Sequence, residues 1–262
     1  MLRKMCLLAL TASLPLHAGT MGTTTAVDEN PWYASIGTGF SWTQLPGIDN
    51  PDPSIWDASA QGYNSSLGNR GFYTFEVGKQ VHQYIDVSVM YMNHETFNYQ
   101  MFQSGTSNTM GFTGDQRNRY FNLNNRSLLV SGFLHPDHSV YQLSTVNMKP
   151  FIGAGIGYAL NQVNNFYTVG STLVNGTAIG STDSIGNKVN TNSFAWQGSV
   201  GLNFSPENSH LSLDAGYRYY DGGKFNTSNH IYVQGASGFG TSVAWSGKLQ
   251  ANQLFIDLKY TV

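Results

Sequence analysis

Cysteine is all but missing from this 262-residue chain: Cys6 is the only one. It lies within the N-terminal MCLLAL, so everything after it lacks disulfides, cysteine nucleophiles and thiolate metal sites. Charge is scarce as well. Asp, Glu, Lys and Arg make up 11% of residues, against about 25% in an ordinary soluble domain. No basic run occurs, which argues against nucleic acid as a partner. Beyond the first residues no apolar stretch approaches the roughly 20 residues that a membrane-spanning helix needs, and the mean hydropathy is negative. A helical membrane protein is thereby excluded, whereas a barrel, in which only alternate residues face lipid, is not.

The N-terminus supplies the first positive signal. Arg3 and Lys4 precede an apolar run from Met5 to Leu14, and Leu16-His17-Ala18 ends in a small residue. This is the pattern of a cleaved export signal, predicted over residues 1–18, with a second possible cut after Ala26. Without Arg3 and Lys4, 13 − 2 = 11 basic residues face 15 acidic ones, a net charge of −4 for residues 19–262. Aromatic residues reach 13%, and glycines number 29.

Strict alternation organises the rest. In residues 194–204, FAWQGSVGLNF, one face carries Phe194, Trp196, Gly198, Val200, Leu202 and Phe204, and the other Ala195, Gln197, Ser199, Gly201 and Asn203. Residues 211–220 set Leu211, Leu213, Ala215, Tyr217 and Tyr219 against Ser212, Asp214, Gly216, Arg218 and Tyr220. The C-terminus sets Leu254, Ile256, Leu258, Tyr260 and Val262 against Phe255, Asp257, Lys259 and Thr261. Residues 32–42, 71–78, 85–92, 125–134 and 152–160 repeat the pattern. The spacing therefore predicts eight strands, with ten open if the 161–193 segment adds two. The connections alternate. Residues 43–70, 98–119, 161–193 and 221–245 are long and rich in Gly, Asn, Ser and Thr, whereas 79–84 and 205–210 are tight. Long loops on one side and short turns on the other are expected of an up-and-down antiparallel transmembrane β-barrel. The connection at 135–149 is longer than that pattern wants. Val243, Trp245 and Leu249 are apolar at odd positions while the C-terminal strand is apolar at even ones, so a bulge near 250–253 is predicted. A soluble β-sandwich alternates too. It would put more charge on the solvent face and lysines on its edges.

Residues 149–160, KPFIGAGIGYAL, place Gly153, Gly155 and Gly157 at alternate positions. A dinucleotide-binding turn needs Gly-x-Gly-x-x-Gly ahead of a helix; here the third glycine comes one residue early and no helical period follows. On an inward barrel face such glycines leave room for large polar neighbours, since a narrow barrel is filled by side chains. Gly37, Gly39, Gly78, Gly201 and Gly216 fall on the same face. Glu76, Asp86, Asp214, Arg218, Asp257 and Lys259 are also inward, as a paired polar plug or, alternatively, a lining for ions. Trp32, Trp42, Trp196, Phe204, Tyr217, Tyr219 and Tyr260 are expected to form the two aromatic girdles at the membrane interfaces.

Catalytic and metal motifs are weak. His82, His135, His138 and His210 lie in the short connections, and HPDH at 135–138 reads as a turn as easily as a metal site. Asp86, Ser88 and His94 are not at a spacing that recurs in hydrolases. No cofactor or catalytic residue is expected. Trp56, Tyr63, Phe97, Tyr99, Phe102, Phe112, Phe166, Tyr167 and Tyr232 lie in the long connections, where they serve either a partner or each other.

WYASIGTGFSW, KPFIGAGIGYAL and QLFIDLKYTV resemble the small outer-membrane barrels of Gram-negative bacteria, the outer membrane protein A-like and opacity-type family. The resemblance runs over most of residues 32–262. It implies an integral outer-membrane protein folded by the barrel assembly machinery, surrounded by outer-membrane lipid and lipopolysaccharide. It also implies a structural and adhesive surface role, with a host or environmental ligand at the loops. The alternatives are a small porin and, more remotely, a barrel-embedded lipid-modifying enzyme or protease.

Overall fold

A computed structural model describes residues 31–48, 66–104, 115–136, 141–143, 145–174, 177–181, 184–233, 239–241 and 244–262. The predicted export signal lies outside these residues, as do Trp56, Tyr63, Phe112, His138 and Val243. The described residues hold strands and turns and no helix.

Eight long strands carry the architecture: β1 (Trp32–Thr43), β2 (Asn69–His82), β3 (Ile85–His94), β5 (Asp115–Leu134), β7 (Val146–Val174), β10 (Val189–Pro206), β11 (Leu211–Asn226) and β14 (Ser246–Thr261). Each pairs antiparallel with the next, β14 returns to β1, and β5–β7 pairing completes the circuit. The result is a closed eight-stranded antiparallel barrel, which leaves no unpaired edge for the backbone.

Six further elements decorate the ring. They are β4 (Phe97–Ser104), β6 (Tyr141–Leu143), β8 (Thr177–Ser181), β9 (Ser184–Gly186), β12 (His230–Val233) and β13 (Phe239–Thr241). β4 continues β3 along β5, and β9 continues β10 along β7. The extra strands within 161–193 are therefore β8 and β9, which prolong the wall instead of widening the ring to ten.

This changes the expected long loops. Much of 98–119, 161–193 and 221–245 is strand. From Tyr158 to Val174, sixteen residues of β7 at about 3.3 Å each, tilted about 40°, rise about 40 Å beyond the outer girdle. On the opposite side the connections are tight: Gln83-Tyr84 turns β2 into β3, and Asn208, at φ 57°, turns β10 into β11. The long 135–149 connection contains β6, which folds back on the start of β7.

Two bulges on the ring strands lie in the outer part, besides a register shift between β7 and β8 at Thr172 and Leu173. Asn165, at φ 49°, is the extra residue where Asn122↔Asn164 gives way to Tyr120↔Tyr167. Gly223, at φ 73°, follows the extra residue on β11 between Asp221 and Gly223. The bulge expected at 250–253 is not on β14, which carries no extra residue from Ser246 to Thr261; the irregularity at that level is the one on β11, opposite Gln250 and Leu249. Trp245 and Leu249 are buried inside the barrel, on the same face as Gln253 and Asp257. The phase of the strand does not change; the polarity of the barrel interior does.

Candidate functional site: the filled barrel and its two surfaces

The inward glycines take their meaning from register. Gly39 lies directly opposite Phe72, Gly78 opposite Tyr33, Gly153 opposite Phe133, Gly201 opposite Phe151 and Gly216 opposite Phe255. Gly186 opposite Phe166 and Gly247 opposite Phe225 extend the rule above the membrane. In all seven pairs a Cβ on the glycine would run into the partner's ring. Aromatic neighbours, more than polar ones, occupy the space these glycines vacate. Gly37 and Gly155 follow the polar expectation: the first borders Asp257 and Thr74, the second Ser131 and Gln197.

The interior is layered. At the periplasmic-type end, Lys259 Nζ is 2.9 Å from Asp214 Oδ2, and Asn203 Nδ2 donates to Asp214 Oδ1. Tyr33 Oη donates to Glu76 Oε1 at 3.1 Å, and Lys259 lies 4.4 Å above the Tyr33 ring. Thr74 donates to Asp257 Oδ1 at 3.0 Å, and Asp257 Oδ2 is 3.9 Å from the Arg218 guanidinium. Arg218 is wholly buried, with the Phe255 ring 4.5 Å away and the Phe72 ring 5.9 Å away. His135 Nε2 meets Asp86 Oδ2 at 3.1 Å. The six ionisable residues singled out in the sequence thus all face inward, and five of them are buried. A charge in such a place needs a partner, and the ion pairs and hydrogen bonds supply them.

Above this lies a ring of amides drawn from strands far apart in the chain. His94 Nδ1 is 2.9 Å from Asn125 Oδ1, and Gln253 Nε2 is 2.7 Å from His94 Nε2. Asn125 Nδ2 donates to Asn161 Oδ1, whose own amide donates to the Gly222 and Lys224 carbonyls. Tyr220 Oη also donates to Asn125 Oδ1. The Asp86, Ser88 and His94 set is not brought together, because Asp86 turns to His135 and His94 to the amides.

Still further out the interior becomes apolar. Phe97, Tyr99, Phe121, Leu123, Val163, Phe166, Phe225, Trp245 and Leu249 are buried together with Ile48 and Leu67 from the first connection. Phe97, Tyr99 and Phe166 are therefore core residues of the extension and not loop contacts. Arg119 stacks on Trp245 at 4.0 Å.

The outer face of the barrel is reversed in chemistry. Ile36, Phe75, Val77, Val89, Leu128, Val130, Ile152, Ile156, Val200, Leu254, Ile256 and Leu258 are each 44–61% exposed. No soluble protein presents such a closed apolar band; hydrocarbon accounts for it. The chain is a transmembrane β-barrel. Trp32, Phe204 and Tyr260 face outward at one rim of the band; Trp42, Trp196, Tyr217 and Tyr219 face outward toward the other. Trp42 lies 6.4 Å from Tyr217 and Trp196 5.2 Å from Tyr219. Trp32 and Trp42 are ten residues apart on β1, a rise of about 25 Å at about 40° tilt, which is the height of a bilayer's apolar slab.

No family model matches the chain, and no curated protein matches it. Solved structures do. Neisserial surface protein A is 14% identical, with 87% of this chain and 96% of that one covered at a TM-score of 0.41. Outer membrane protein OprG from Pseudomonas aeruginosa is 13% identical, covering 87% and 95% at 0.42. The attachment invasion locus protein Ail of Yersinia pestis is 10% identical, covering 86% and 97% at 0.30. The fold assignment rests on the closed ring itself.

Proposed function

We propose that this protein is an integral, non-enzymatic outer-membrane barrel, exported through a cleaved signal, whose work is done by a rigid outer extension. Barrel assembly machinery inserts it, and outer-membrane lipid surrounds it. The observation that carries this reading is the filling of the barrel. Paired charges occupy one end, hydrogen-bonded amides the middle and an aromatic core the far end. An eight-stranded ring has just enough interior for side chains, and these layers fill it. Among the described residues the polar layers end against the aromatic core, which favours a surface role over that of a small porin.

The extension also bears an outward apolar stripe beyond the membrane. Tyr167 (40% exposed), Val169 (48%) and Ile185 (63%) stand there, with Tyr120 stacked on Tyr167 at 4.7 Å. Such a patch on a stiff stalk suits adhesion to a host or environmental ligand. Refolded protein in a planar bilayer should give no stepwise current; stable steps altered by Asp214→Asn or Arg218→Met would favour the porin. Cells displaying Tyr167→Ser/Ile185→Ser should lose adhesion while keeping normal surface levels. The exported protein should begin at Gly19 by N-terminal mass analysis.

A further inference from the structure

The outer face just above the outer aromatic girdle carries two cations that membrane anchoring does not use. Lys224 of β11 and Lys248 of β14 stand directly opposite one another. Both are exposed and turned away from the lumen, since their neighbours Phe225 and Leu249 are buried. Side chains in such a pair start about 5 Å apart, and like charges there destabilise the sheet. Among the described residues neither ammonium has an ion-pair partner. The near carboxylate, Asp221, is engaged by the Gly223 amide at 2.8 Å and by Gln250 Nε2 at 2.9 Å.

Height narrows the choice of anion. Lys248 is four residues beyond Asn252, which pairs with Trp42 and Tyr219 of the girdle. Four residues rise about 10 Å at about 40° tilt, just past the roughly 5–8 Å headgroup layer on one side of a bilayer, which a lysine side chain leaning back toward the membrane reaches. Below the pair, past the outward Gln250 and Asn252, the outer face becomes apolar: Tyr217 (38% exposed) pairs with Leu254 (55%), which pairs with Phe40 (49%). An anionic head above and a hydrocarbon seat below describe an amphiphile, not a free ion.

Building on the membrane placement proposed above, we propose that Lys224 and Lys248 together hold a phosphate group of an outer-leaflet glycolipid, whose acyl chains lie on the Tyr217–Leu254–Phe40 stripe. The bound phosphate removes the repulsion between the two lysines and ties the barrel's rim to the leaflet.

The test uses residues 19–262 refolded in phosphatidylcholine vesicles and in detergent. Diphosphoryl lipid A, its dephosphorylated form and inorganic phosphate are the probes, read by native mass spectrometry and by urea unfolding. Lipid A should bind, and Lys224→Gln/Lys248→Gln should weaken it about thirty-fold, from about fivefold per lysine. Lys224→Arg/Lys248→Arg should retain binding. Without anionic lipid, Lys248→Gln should unfold at the same or higher urea than the parent; with lipid A the order should reverse. Equal binding by the Gln variant, or by dephosphorylated lipid, overturns the site. Inorganic phosphate that matches lipid A overturns the lipid as its ligand. A protein that inserts without phosphate dependence sinks this site alone, whereas failure to insert in any lipid sinks the membrane reading and this site with it.

Discussion

Gly153→Ala adds one methyl group to the barrel interior, and its cost follows from what already stands there. The new Cβ would lie 2.6 Å from Phe133 Cδ1 and 2.6 Å from Ser199 Oγ, where ordinary contact begins at 3.4 Å. The Ser199 hydroxyl can turn aside by rotation about χ1. The Phe133 ring cannot move as cheaply, because Phe151 meets it edge-on at 5.8 Å and 81°. Overpacking of this kind costs about 1–3 kcal/mol, while exchanging Gly for Ala in a strand returns about 0.5–1 kcal/mol. A net loss of about 1–2 kcal/mol is expected. Phe133→Ala alone should cost about 3 kcal/mol by the lost packing. Combined, the two should be less harmful than their sum, since removing the ring empties the space the methyl group needs. The coupling should be about 1.5 kcal/mol, measured by reversible urea unfolding in phosphatidylcholine vesicles with tryptophan fluorescence. If Gly153→Ala costs the same with and without the Phe133 ring, to within about 0.5 kcal/mol, the glycine does not exist to seat an aromatic ring.

Three further perturbations probe the other layers. Lys259→Met strands the Asp214 carboxylate, whose ammonium partner is at 2.9 Å; a loss of about 3–5 kcal/mol is expected, most of it recovered by adding Asp214→Asn, both read by urea midpoint. Ile256 pairs with Thr38, midway between the girdles on β1, so Ile256→Lys should cost about 2–4 kcal/mol and Tyr260→Lys at the rim only 0–1. Equal costs would refute the placement of the band. Trp245→Ala should cost about 3–5 kcal/mol in the extension alone, so deuterium uptake should rise in β12 and in 163–168 while the membrane strands stay protected and gel mobility remains heat-modifiable.

The eight membrane strands were legible because lipid enforces a two-residue period: the outward face of 194–204 or 254–260 is apolar throughout, and its partner positions are not. Inward-facing Glu76, Asp86, Asp214, Arg218, Asp257 and Lys259 followed from the same parity. What stayed hidden depends on register between strands far apart in the chain. Nothing local to Gly216 says that Phe255 will lie across it, and nothing local to His94 points to Asn125, Asn161 and Gln253. The extension reads as loop for a different reason. Stretches such as NQVNNFYTVGST are as rich in Asn, Gly and Thr as a loop, because both faces of a wall standing in water need far less apolar surface than one standing in lipid. The one local signal of the extension is the odd phase of Trp245 and Leu249, which a bulge would also explain.

That phase mismatch has a single physical source. Within the membrane the outward positions must be apolar, so Leu128, Tyr158 and Leu254 face lipid while Ser127, Gly157 and Gln253 face the lumen. Beyond it the outward positions meet water, and the lumen becomes the only place where apolar surface can be buried. On β5 the outward residues turn to Asn124 and Asn122 as the inward ones turn to Leu123 and Phe121; on β7, Gln162 faces out and Val163 in; on β14, Lys248 faces out and Leu249 in. The side-chain parity of β5 and β14 is continuous through this level, and the bulges of β7 and β11 lie above it. The amphipathic sense therefore inverts along an uninterrupted strand, at a level marked by Arg126, Leu160 and Asn252. Such an inversion locates the water boundary of a barrel from the inside, where the girdle locates it from the outside. The two agree here, since Asn252 pairs with both Trp42 and Tyr219. A barrel built this way needs no separate domain to reach beyond its membrane. The strands keep going, and the burden of holding them passes from hydrocarbon outside to an aromatic core within.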